Sequence, residues 1–130
     1  MSLDIQIKKG TGVFSRGTVT LELTGSLDTA TAPDLEREVM LLLDTGPTDM
    51  VFDLAGLRFI SSAGLRVFGL ARKRMKDGGG HVSFLHMQPQ IKVVFEIIKA
   101  LPGLSVFADV KEFDEYIAAR QRRNRDDDDD

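Results

Sequence analysis

Two adjacent hydroxyls, Ser61 and Ser62, stand where an apolar run, Met50 to Leu54, gives way to a helical pattern beginning at Leu65. A serine at a helix start accepts a hydrogen bond from one of the backbone N–H groups that the first turn leaves unpaired. The same free N–H groups and the positive end of the helix dipole also accommodate a phosphate. A phosphoserine there adds about −1.5 to −2 charge at the surface without necessarily breaking the fold. Both readings, helix cap and phosphoacceptor, fit these residue types.

Other chemistry finds little support. The 130 residues contain no cysteine, which removes disulfides, thiolate zinc sites and thiol nucleophiles together. With only His81 and His86 a three-histidine metal site is impossible, and both read as ordinary surface or hydrogen-bonded histidines. There is no G-x-S-x-G elbow, phosphate-binding G-x-x-x-x-G-K-[ST] loop, H-E-x-x-H or EF-hand loop. Gly10-Thr11-Gly12 and Gly17 have the wrong spacing for a dinucleotide fingerprint and precede a strand, as turn glycines do. The expectation is a non-enzyme with no catalytic residues, no metal and no cofactor.

Charge points the same way. The net charge is −3, but residues 120–130 (RQRRNRDDDDD) hold four Arg and five Asp, leaving 13 basic and 15 acidic residues in the rest. So balanced a body offers no footprint for direct nucleic-acid binding. The opposed terminal charge runs read as a solvated, disordered tail. No apolar stretch approaches the roughly 18–20 residues that a membrane span needs. The segment MSLDIQIKKG lacks a basic region followed by an apolar one, so the expected compartment is the cytoplasm, without membrane insertion.

The serines must be positioned by elements that alternate between period two and period 3.6, the pattern of a mixed α/β domain. Ile5 and Ile7 alternate with polar residues, and Val13-Phe14 follows a Gly-Thr-Gly turn, predicting an N-terminal hairpin. Val19, Leu21 and Leu23 predict a strand with one buried face, broken by Gly25-Ser26-Leu27-Asp28. Thr31-Ala32-Pro33-Asp34 opens a helix carrying Leu35, Val39 and Leu42, which Asp44 to Pro47 stops. Met50–Leu54 predicts a strand buried on both faces. The helix from Leu65 carries Phe68, Ala71 and Met75 to the terminator Gly78-Gly79-Gly80. Val82 and Phe84 predict a further strand. A helix from Gln88-Pro89 presents Ile91, Val94, Phe95, Ile98 and Leu101, Leu104–Phe107 can form an edge strand, and a last helix spans Val110–Arg120. The expected division is one domain over 1–119 and a charged tail over 120–130.

The order of these pieces resembles the STAS domain family, and within it the bacterial anti-sigma factor antagonists. Thr24-Gly25-Ser26-Leu27-Asp28 with Thr29 to Ala32 resembles the family's G-E-L-D…T-A stretch, and Val51 to Leu54 with Leu57 to Ile60 resembles its central strand. Ser61-Ser62-Ala63-Gly64-Leu65 is similar to the switch motif D-S-[ST]-G-L, with Ser61 in place of the aspartate and Ala63 in place of the second hydroxyl. Gly79-Gly80, Val94-Phe95 and Leu104 to Phe107 fit the later landmarks.

The resemblance implies a STAS fold, four or five mixed strands backed on one face by about four helices. It implies an anti-sigma factor antagonist that works by partner switching. Phosphorylation falls at Ser62, with Ser61 as the fallback acceptor, and Asp28, Ser61, Ser62, Ala63 and Arg66 form the partner surface. Arg66, four residues after Ser62, is expected one turn along the same face, to pair with the phosphate or an acidic partner residue. Asp28 also reads as a turn residue capping a Thr29-to-Leu42 helix. The implied partners are an anti-sigma factor serine kinase and a protein serine phosphatase, with the chain a monomer or weak dimer. Two alternatives stand beside this one: a scaffold subunit of a lipid or membrane ABC transport complex, and a phosphorylation-insensitive signalling interaction domain.

Overall fold

Period-two alternation builds the sheet. The computed structural model describes residues 2–10, 17–100 and 110–128. Its elements run β1 (Leu3–Lys9), β2 (Thr18–Leu27), α1 (Ala32–Leu43), β3 (Asp49–Ile60), α2 (Ser62–Asp77), β4 (His81–Leu85), α3 (Pro89–Ala100) and α4 (Val110–Asp128). The strands lie in the order β1-β2-β3-β4, with β1 antiparallel to β2 and the other pairs parallel. This is the mixed four-stranded sheet backed by four helices that the sequence pattern predicts.

The register carries the apolar residues onto one face. Ile7 pairs with Leu21, Leu21 with Phe52 and Phe52 with Phe84, while Val19, Met50 and Val82 form a second row. The helices cover this face. Phe68 of α2 and Phe95 of α3 join Phe52 and Phe84 in a ring cluster, with centroids 4.9 Å apart for Phe52–Phe68, 5.0 Å for Phe68–Phe84 and 5.2 Å for Phe84–Phe95. Such pairs each contribute about 0.5–1.5 kcal/mol beyond their buried area. The opposite face is polar: Lys8 pairs with Glu22 at 2.7 Å, and His86 Nδ1 lies 3.0 Å from Asp53. Burial pushes the Asp53 carboxyl up, but the Ala55 N–H and His86 outweigh it and hold the group below the usual carboxylate range.

Four expectations change. β2 does not break at Gly25 but continues to Leu27 through an irregularity at Gly25/Ser26. Gly25 has φ +112°, and a side chain there would strike the Ser2 carbonyl, which accepts from Ser26 N–H at 3.0 Å. β3 is not a short strand buried on both faces. It runs to Ile60 with Met50, Phe52, Leu54, Leu57 and Ile60 buried and Val51 and Asp53 half-exposed, because helices cover one side only. α1 starts at Ala32 rather than Thr29. α4 passes Arg120 and runs to Asp128, and Gln121 is 2% exposed, so packing extends beyond the boundary expected at residue 119.

The Val19, Leu21 and Leu23 face is buried as the alternation requires, and α2 ends at Gly78. On α3, Ile91 and Val94 are buried, but so are Val93 and Ile97, because this helix packs against both β3 and α4. Val13-Phe14, Leu101 and Leu104–Phe107 lie outside the described residues.

Candidate functional site at the start of helix α2

The β3 strand delivers the chain to the serines without a loop. Ser61 is extended (φ −108°, ψ 175°), and its N–H donates to the Leu27 carbonyl at 2.9 Å, joining the ends of β2 and β3 where α2 begins. Its own carbonyl accepts from Leu65 N–H at 3.1 Å, the first bond of the helix. Ser61 is 6% exposed, and its hydroxyl is buried with no partner among the described residues. Expected to cap the helix locally, it makes no side-chain cap bond.

The cap comes from elsewhere. Ser62 N–H donates to Asp114 Oδ1 at 2.7 Å, and Ser62 Oγ donates to Asp114 Oδ2 at 2.9 Å. A carboxylate bridging a helix-start N–H and a hydroxyl makes two charge-assisted bonds at the positive end of the dipole. Asp114 sits on α4, 52 residues away in sequence. Seven residues further along α4, Gln121 Oε1 accepts from Ile60 N–H at 2.9 Å and Nε2 donates to Ile60 O at 2.8 Å. Two side chains one heptad apart on α4 therefore hold the backbone on both sides of Ser61. Sequence reasoning missed both, because nothing within EFDEYIAARQ distinguishes them from other polar positions on a surface helix.

The remaining expected residues are distributed around this point. Asp28 Oδ1 accepts from Ala30 N–H at 3.0 Å and Thr31 N–H at 3.1 Å, and its carbonyl accepts from Ala32 N–H at 2.8 Å. Thr31 Oγ1 donates to Ser26 O at 2.8 Å, closing the turn before α1. Asp28 is thus a turn residue, with Leu27 before it tied to Ser61. Ala63 and the exposed Arg66 line a groove of about 220 Å³ with Val67 and, across it, Thr29, Ala32, Pro33 and Glu36. Ala63 and Arg66 therefore face α1, whereas the Ser62 hydroxyl is engaged by α4. Gly64 is buried beneath them, where an added Cβ would lie 2.5 Å from Leu27 Cγ and 3.0 Å from Ile60 Cγ1. Among the described residues no cluster of three His, Asp or Glu side chains could hold a metal, and no helix is long and apolar enough to cross a membrane.

Known proteins share this arrangement. A protein of Bordetella bronchiseptica named "Putative anti-sigma factor antagonist BtrV" is 39% identical over 75 residues, spanning 58% of this chain and 65% of its own length. The anti-sigma factor antagonist SpoIIAA in its unphosphorylated form matches with TM-score 0.61 at 21% identity, over 72% of this chain and 83% of its own. The phosphorylated form of SpoIIAA, a Bacillus cell fate determinant, gives 0.60, also at 21% identity, over 72% and 82%. An anti-sigma factor antagonist from Mycobacterium paratuberculosis gives 0.59 at 20% identity, over 78% and 84%. At these identities the solved structures speak for the fold. The family model for the STAS domain matches residues 5–113, from β1 into α4, and so takes in every strand and the whole Ser61–Leu65 segment: the chain belongs to the STAS domain family.

Proposed function

We propose that this domain is an anti-sigma factor antagonist that acts by partner switching, with Ser62 as its phosphoacceptor. The observation that carries this reading is the half-buried Ser62 hydroxyl at the first position of α2, beside the α1–α2 groove that Thr29, Ala63 and Arg66 line. Unphosphorylated, the domain binds a kinase-type anti-sigma factor over that groove and the Asp28 turn, freeing a sigma factor. The kinase transfers the γ-phosphoryl group of ATP to Ser62 Oγ, ADP leaves and the hydroxyl proton passes to a base of the kinase. A phosphatase returns the serine by hydrolysis. The domain is the substrate and supplies no catalytic group.

Placing about two negative charges inside a desolvated contact weakens it through repulsion and unpaired burial. A loss of about 3 kcal/mol lowers affinity roughly 100-fold. Ser61, with its buried hydroxyl, is the poorer acceptor of the pair. The phosphorylation-insensitive alternative draws its support from the Asp114 bonds, which already occupy Ser62.

Incubation with candidate anti-sigma kinases and ATP, followed by site mapping, decides between them. Modification at Ser62, lost in Ser62→Ala, with weaker kinase binding by Ser62→Asp, is the expected result. Binding that Ser62→Asp leaves unchanged favours the insensitive domain, and absence of any binding or modification overturns the switch.

A further inference from the structure

Resting on the reading of Ser62 as phosphoacceptor, we propose that Asp114 is the residue through which helix α4 senses phosphorylation, so that the modified domain loosens its hold on α4. In the unmodified chain Asp114 accepts two bonds from Ser62, one from N–H and one from the hydroxyl. Phosphoryl transfer forms an Oγ–P bond, breaks the bond from the γ-phosphorus to the bridging oxygen of ATP, and removes the hydroxyl proton. The donor that faced Asp114 Oδ2 at 2.9 Å is then gone, and an oxygen bearing a dianionic group stands in its place.

Two anions now compete for one helix start. The N–H of Ser62, which Asp114 holds at 2.7 Å, is the kind of donor a phosphate takes at a helix N-terminus. The phosphate is covalently tied to that residue and cannot leave. Asp114 can leave, because only α4 carries it. Among the described residues no basic side chain lies within 4.0 Å of its carboxylate to mediate between the anions. What still holds α4 is the packing of Phe113 and Ile117 and the Gln121 bonds to Ile60. The turn that carries Asp114 loosens first, and the Gln121 end is retained longest. The state of Ser62 is thus displayed on α4 as well as in the α1–α2 groove.

The test uses the full chain with phosphoserine incorporated at position 62 during synthesis, so that it needs no kinase. Hydrogen exchange by mass spectrometry is followed over α1 and α4. Phosphorylation should speed exchange in peptides covering 110–121 about tenfold while leaving 32–43 unchanged. In Asp114→Asn the amide can donate to the phosphate, so the increase should fall below about threefold. Exchange in α4 within about twofold of the unmodified chain overturns the proposal, as does an undiminished increase in Asp114→Asn. If that variant does not fold, Asp114→Ser serves, since it too is neutral and can donate. A positive result with no kinase found would overturn the proposed function and leave the Asp114 response standing, whereas modification by a kinase with α4 unmoved would do the reverse.

Discussion

The starts of α1 and α2 solve one problem in two ways. Both leave N–H groups unpaired, and both use an aspartate to satisfy them. At α1 the aspartate is local: Asp28, three residues before Thr31, folds its carboxylate back onto the turn. At α2 it is remote: Asp114 arrives from another helix, and the local candidate Ser61 is buried and unengaged. A local cap forms with its own helix and reports nothing. A remote cap couples one helix start to the position of another element, so it can be made and broken while α2 stays folded.

Substitutions can break or sharpen this contrast. The largest effect is expected from Gln121→Leu, which leaves Ile60 N–H and C=O buried without partners and should cost about 3 kcal/mol in chemical denaturation. Asp114→Ala should follow at about 2 kcal/mol, for two bonds to a charged acceptor. Asp28→Ala should cost about 1 kcal/mol, the usual loss for a helix-entry aspartate. If the two starts are independent, Asp28→Ala with Asp114→Ala should sum to within about 0.5 kcal/mol in a double-mutant cycle, and a larger coupling would erase the distinction drawn here. Ser61→Ala should change stability least, by about 0.5 kcal/mol and toward greater stability, since it removes a buried hydroxyl without a partner. A large loss on melting would show that Ser61 caps α2 after all.

What was legible in the sequence follows the same division. Val19, Leu21 and Leu23 announce their strand because side-chain period and burial coincide, and Gly78 to Gly80 announce the end of α2. Asp28 could be read as a turn residue because its partners lie two and three residues away. β3 was read as shorter because Ala55-Gly56 interrupts the apolar pattern, and only pairing with β2 carries the strand past it. The assignment of both faces of β3 to the core failed because Val51 is apolar yet lies on the uncovered side. Asp114 and Gln121 were not legible at all. Their partners are a serine and a backbone unit 52 and 61 residues away, and α4 reads locally as a charged surface helix.

Gly64 gives the site an unusual genetic profile. Its missing Cβ is what lets α2 lie against Leu27 and Ile60, and any replacement must displace atoms that are themselves fully buried. An unbiased screen for loss of switching should therefore return substitutions of this side-chain-less residue alongside those of Ser62. Suppressors should appear at Leu27, as smaller residues that restore the space, and such pairs would trace the contact between β2 and α2 by heredity alone.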